Sequence, residues 1–424
     1  MTHRLLGITA LAAATALTMT ACGNSSSAPV AQTDGEVSGE VTMWMYPVIK
    51  DEAKNREFWE KTEKAFESEN PDVDFNVELQ TFDKRDTQIS AALAANSGPD
   101  IVMITPDQAS TYHEVGGLLP VDEAIDDEKD SFYTSGIEAA TIEDQVYGVP
   151  MFQNVNTTAY NKEIFEEAGL ELPKTWEDIK EAAPILAEKD ISVLEYVGSP
   201  EQTLNLTFYP FLWQAGGSIF TEDGSDIAFD SPEGIEALQF ILDLQEMGGV
   251  VQSAGTDSPA IEGSPMARGQ VALRATTSLP ELAQLRGALG EETVVLGEPL
   301  EGEVQATFGN PGLMALTSIN EEDNRQAAYA VLDFLSTAEF QSEFTKLASN
   351  FPTRTDVELP GTGPDYEALE AALEYAIPGE PHAAARQVMA ALAPYLQSAL
   401  RGDLSAEEAL TQAAEEARGI LSRT

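Results

Sequence analysis

Between Val41 and Ile104, apolar residues come first as a run, then at helical spacing, then in strict alternation. This succession limits the kind of sheet the chain can build. Residues 41–46 are rich in strand formers. Residues 51–70 place Phe58, Trp59, Thr62, Ala65 and Phe66 on one side of a charged helix that Pro71 stops. Val73, Phe75, Val77 and Leu79 alternate with Asp74, Asn76 and Glu78, the pattern of a half-buried strand. A helix over 84–96 ends at Ser97-Gly98-Pro99, and Ile101 to Ile104 is a short apolar run of the kind buried in parallel sheets. A β-α-β-α-β unit winds right-handed into an open parallel sheet, and ligands sit beyond the carboxyl ends of its strands. That rule names Tyr46 and Pro47 after the first strand, Gln80 to Phe82 after the second, and Thr105, Pro106 and Asp107 after the third.

A chain of 424 residues exceeds what one hydrophobic core organises, so two domains are expected. Its 72 acidic against 23 basic residues give a net charge of −49. Nucleic acid is thereby excluded as a partner, because binding it relies on Lys and Arg clusters that release counterions. The acidic excess keeps a surface solvated. Cys22 is the only cysteine, so there is no disulfide and no thiolate metal site. It follows a weakly basic start (Met1 to Arg4), an apolar run of signal-peptide length (residues 5–17) and small residues at Thr20 and Ala21. After it comes Gly23-Asn24-Ser25-Ser26-Ser27, the start of a flexible tether. Met19-Thr20-Ala21-Cys22 resembles a bacterial lipoprotein cleavage box, which makes 1–21 a signal peptide, 22–38 a tether and Cys22 the lipidated residue. No apolar run beyond the first twenty residues is long enough to span a bilayer.

The middle of the chain is dominated by residues 148–179. Gly148-Val149-Pro150 enters as an extended crossing segment, and Gln153, Asn154, Asn156, Thr157 and Thr158 follow, five uncharged hydrogen-bonding side chains of the sort that bind sugars. A helix over 162–168 is stopped by Gly169, and Thr175 with Asp178 forms a capping box for the next one. The ordered set Tyr160-Asn161-Lys162, Ala168-Gly169-Leu170 and Pro173-Lys174-Thr175-Trp176 closely resembles the family 1 solute-binding proteins of ABC importers, the group that includes maltose-binding protein. Further matches extend the resemblance over residues 39–424. They are Gly98-Pro99-Asp100 with its strand and Asp107, the aromatic segment 205–217 ending in Gly216-Gly217, and residues 266–278 read as a strand with a polar turn. Phe308-Gly309-Asn310-Pro311-Gly312, read as a glycine-rich turn, Phe351-Pro352-Thr353-Arg354 and the capping box Ser405 to Glu408 complete the set. The tail from Tyr366 reads as helical.

What the resemblance implies is an α/β, periplasmic-binding-protein-like fold of two discontinuous α/β domains joined by a hinge, with the ligand cleft between them. The first domain would take 39–152 and 313–355, the second 153–312 and 356–424. The function implied is capture of a sugar or oligosaccharide by a monomeric lipoprotein outside the cell membrane and its delivery to an ABC permease. Closure over the ligand would be recognised by the permease. Carried over residue by residue, the ligand-binding candidates are Tyr46, Phe82, Asp107, Gln153, Asn154, Asn205, Phe208, Trp213, Thr276, Asn310 and Arg386. Asn154 stands where maltose-binding protein has a sugar-binding acid, Ile104 where it has an aromatic, and Leu279 where it has a stacking Trp, so a different ligand is implied.

Other chemistries find little support. No phosphate loop, nucleophile elbow or dinucleotide motif occurs, and His113 and His382 alone make no metal pair. Asp72-x-Asp74-x-Asn76 opens like a calcium loop but has Val77 where glycine is needed. No cofactor is expected. Two alternatives stay open: a glycerol phosphate or phosphodiester held by Arg274, Arg354 and Arg386, and a glycoside hydrolase using a carboxylate pair.

Overall fold

A computed structural model describes residues 37–199, 203–256 and 260–423, apart from the Asp83 side chain. The signal segment and Cys22 lie outside the described residues.

Strands β1 (Gly39–Met45), β2 (Val73–Leu79) and β3 (Ile101–Ile104) are parallel, with β1 in the middle, and helices α1 (Glu52–Glu69) and α2 (Arg85–Ala95) connect them. The local causes are those of the sequence. The Asp51 carboxylate accepts the Lys54 N–H at 3.0 Å to start α1, and Phe58, Trp59, Thr62 and Phe66 form its buried face. Helix α3 (Pro106–Glu114) leaves β3 with Thr105 and Gln108 as its capping box. Strands β4 (Leu118–Leu119) and β5 (Val149–Gln153) follow.

The chain then builds a second sheet from β6 (Thr157–Asn161), β7 (Ser192–Glu195), β8 (Val271–Thr277) and β9 (Val294–Leu296), in the order β9-β6-β8-β7. Helices α4 (Trp176–Ala187), α5 (Phe208–Gln214), α6 (Pro232–Glu246) and α7 (Leu279–Leu289) accompany it. Trp176 stacks on Phe240 at 4.3 Å in its core. Strand β10 (Pro311–Thr317) returns to the first sheet, antiparallel to β3, β4 and β5. Helices α8 (Arg325–Ser336) and α9 (Ala338–Ala348) cover that sheet, while α10 (Ala385–Leu400) and α11 (Ala406–Leu421) pack into the second core.

Segments that pass between the two cores are stitched together. Gln153 and Phe351 exchange backbone hydrogen bonds at 2.7 and 3.0 Å, and Asn154 N–H donates to Asn310 at 2.9 Å.

Three local expectations are corrected. Residues 266–270 form turns, and the strand begins only at Val271, because Met266 N–H is held by the buried Glu195 carboxylate at 2.8 Å. The tail is not continuously helical: Ala376–Ile377 pairs in parallel with Thr307–Phe308. For the same reason 308–312 is not a plain turn but the crossing between two strands. Its glycines answer to packing, since a Cβ on Gly309 would meet Asn154 O at 2.7 Å and one on Gly312 would meet the Phe152 ring at 2.2 Å.

Candidate functional site

Between the two cores lies a cavity of about 570 Å³. From the first core it receives the residues after β1, β2 and β3: Val48 and Lys50, Phe82 and Arg85, Thr105 and Asp107. Asn154, Asn156 and Asn310 line it at the crossings, and Asn205, Ser278, Glu281 and Arg386 from the second-core side. Thus the cavity sits beyond the carboxyl ends of the parallel strands, where the topology places it.

Among the described residues, four of its amides have no side-chain hydrogen-bond partner. Asn154 and Asn310 use only their backbones, in the bond already described, and Asn205 Oδ1 and Asn350 Nδ2 are buried without a hydrogen bond. An amide offers both donors and an acceptor, and a buried one left unmatched costs about 1 to 3 kcal/mol. Asn156 differs, because its Nδ2 already donates to Phe308 O at 3.0 Å. One apolar platform is available: Phe82 is 42% exposed, with Tyr46 stacked behind it at 5.4 Å.

Charge in the cavity is distributed unevenly. Arg386 Nε meets Asp107 Oδ2 at 2.5 Å, an ion pair that joins α10 to α3 across the cleft. Asp107 also accepts from Thr105 Oγ1 at 2.5 Å. Burial opposes the Arg386 charge, but Asp107 and Asp86 outweigh it and its pKa is raised. Arg85 lies over the rings of Tyr46 and Phe82 at 5.7 and 5.6 Å, and burial lowers its pKa. Lys50 likewise has a lowered pKa, again through burial, partly offset by Glu281 across the cleft.

A family model for bacterial extracellular solute-binding proteins matches residues 50–342. The chain belongs to that family. Among its relatives, a binding protein of Brucella abortus strain 2308 is 24% identical over 330 residues, covering 75% of this chain and 77% of its own. The arabinooligosaccharide-binding protein of Halalkalibacterium halodurans is 27% identical over 217 residues, half of this chain and 47% of its own. The fold matches that of the GacH receptor of Streptomyces glaucescens, solved without ligand and with acarbose, at a TM-score of 0.76 and 22% identity, over 91% of this chain and 99% of that one.

Within this solute-binding protein, six of the eleven candidates from sequence line the cavity: Phe82, Asp107, Asn154, Asn205, Asn310 and Arg386. The other five do not. Tyr46 is fully buried behind Phe82. Gln153 faces a separate cavity of about 250 Å³ lined by Tyr133, Pro352 and Leu373. Phe208 and Trp213, with Tyr209 and Phe211, are buried in the second core, because α5 is packed on all sides. Thr276 spends its hydroxyl on Leu206 O at 2.7 Å. Arg274 and Arg354 are also absent from the cavity: the first is bound to Glu195 and Glu281 at 2.8 and 3.3 Å, the second to Glu128 and Asp356, both at 2.7 Å.

Sequence reasoning missed Lys50, Arg85, Glu281 and Asn350. Glu380, near Trp213, does not line the cavity but carries an unusual carboxyl. Burial pushes its pKa up to about 7, and the nearby Trp213 indole only partly counters this. Carrying the strand-end rule three or four residues further would have reached Lys50 and Arg85.

Proposed function

We propose that this solute-binding protein captures a sugar or oligosaccharide outside the cell membrane and delivers it to an ABC permease. The observation that carries this reading is the set of four unpartnered amides around one exposed ring, since sugar hydroxyls both donate and accept while a sugar's C–H face stacks on aromatics. The relatives named for arabinooligosaccharide and maltotriose, and the acarbose complex of a structural neighbour, support it. Phe82, Asp107, Asn154, Asn205, Asn310 and Arg386 are the ligand-binding residues in this reading, joined by Asn350. The domains meet near residues 152, 312 and 355, and closure about those crossings presents the loaded form to the permease. Arg274 and Arg354 are not the groups that would hold a glycerol phosphodiester, because both lie outside the cavity and are bound to internal carboxylates. A hydrolase is disfavoured because Asp107 and Glu281, the carboxylates lining the cavity, are each held by a guanidinium.

A thermal-shift screen of oligosaccharides tests the reading. A ligand at about 100 times its dissociation constant adds about 2.7 kcal/mol to stability, so the melting temperature rises with the right sugar. A screen in which only phosphodiesters shift the melt contradicts it. Acylation of Cys22 completes the proposal, since two or more acyl chains anchor a protein stably where one is marginal. Cys22→Ser protein is then released from the membrane fraction; retention as firm as wild type contradicts the anchor.

A further inference from the structure

The cavity of this strongly acidic molecule holds two cations that the acids among the described residues match only loosely. Among the described residues no carboxylate lies within 4.0 Å of the Lys50 ammonium, which instead stands 5.6 Å from the Phe82 ring centre. Among the described residues Arg85 has one loose acidic contact, 3.6 Å to Asp86, and Asp86 also receives the Gln108 amide and faces Arg386 at 3.9 Å. Arg85 is nonetheless held in place, its side chain 12% exposed and lying over two rings. The acids lining the cavity are committed elsewhere. Asp107 binds Arg386 and Thr105, while Glu281 Oε1 accepts from Arg274 at 3.3 Å and Oε2 takes the Ser278 N–H and hydroxyl at 2.8 Å each.

With 72 acids against 23 bases, two weakly paired cations flanking one exposed ring are out of keeping with the rest of the chain. A neutral sugar would leave both charges partly desolvated and unmatched, whereas a carboxylate would match them. We infer that the ligand is an acidic sugar, a glycan containing a uronic acid, whose carboxylate is held by Lys50 and Arg85 while a ring stacks on Phe82. This rests on the sugar reading above and specifies its class. Both cations follow the first two parallel strands, so the carboxylate is gripped from the first-core side and the hydroxyls are shared by both sides.

The test offers the full-chain protein a mixed hydrolysate of pectin and arabinan, spiked with hexose phosphates, and identifies what co-purifies by mass spectrometry. Uronate-containing glycans are expected to be enriched about tenfold or more over neutral ones at low salt, with the enrichment shrinking as ionic strength rises. Lys50→Gln, a change outside both hydrophobic cores, is expected to reduce the acidic-to-neutral ratio about tenfold. Capture of neutral glycans alone overturns the inference and leaves the sugar reading intact. Capture of hexose phosphates in preference to uronates also overturns it, since the cations then select phosphate. Capture of no carbohydrate at all defeats the sugar reading and this inference with it. An acidic preference that survives in Lys50→Gln and in Arg85→Gln alike shows that these side chains are not its source.

Discussion

Two adjoining polar regions, one around Arg274 and one lining the cavity, are in opposite states. The charges around Arg274, 4% exposed, are matched: Nε donates to Thr276 O at 3.0 Å, Nη1 to Glu195 at 2.8 Å and Nη2 to Glu281 at 3.3 Å. A short distance along the chain fold, Asn205 and Asn350 are nearly as buried, at 7% each, and present polar atoms to nothing. Proteins retain a buried polar group when it is satisfied or when something else satisfies it. The matched cluster therefore serves the fold, and the unmatched amides that line the cavity are the groups a ligand would satisfy in the proposed reading. Glu281 belongs to both regions, binding Arg274 with one oxygen and lining the cavity, so it couples scaffold to site.

The contrast can be broken first at its structural end. Arg274→Ala leaves the Glu195 carboxylate, 1% exposed, without its cation, and removing one partner of a buried pair costs about 3 to 5 kcal/mol. A large drop in melting temperature is expected, and an unchanged melt would place Arg274 outside the fold's essential contacts. Glu380 sharpens the contrast, being a partly buried carboxyl with no cation in salt-bridge range among the described residues. Its pKa is raised from about 4.5 to about 7, so the folded state binds more protons than the unfolded one between those values. Stability then falls as pH rises through that window and levels off above it, by at most about 3 kcal/mol. Glu380→Gln is expected to flatten this dependence and to be the more stable protein at pH 8. A pH–melting profile identical to wild type would show that Glu380 does not titrate in this way.

Much of the first sheet was legible because its signals are local. Val73, Phe75 and Val77 alternate, Pro71 stops the helix, and the strand-end rule pointed at the rim of the cavity, with Phe82 and Asp107 on it. Helix starts at Thr175 and Ser405 were equally plain, since a capping side chain bonds within its own turn. What stayed hidden depends on distant partners. Nothing near Ala376 announces that it will pair with Thr307, and nothing in residues 208–213 tells that both faces of so short a helix are covered. Arg386 shows the same limit: with no acid four residues away it reads as unpartnered, yet Asp107, far back in the sequence, lies 2.5 Å from it.

The claim on which the rest depends is that amides from the crossings and from the second-core side together bind the sugar. Isothermal titration calorimetry of wild type, Asn154→Ala and Asn205→Ala with an oligosaccharide that raises the melting temperature tests it most directly. Each substitution removes groups worth about 1 to 3 kcal/mol in the complex. The account predicts one site per chain, affinity at least about fivefold weaker in each variant, and melting of the unliganded variants no lower than wild type. Unchanged affinity in both variants would contradict it.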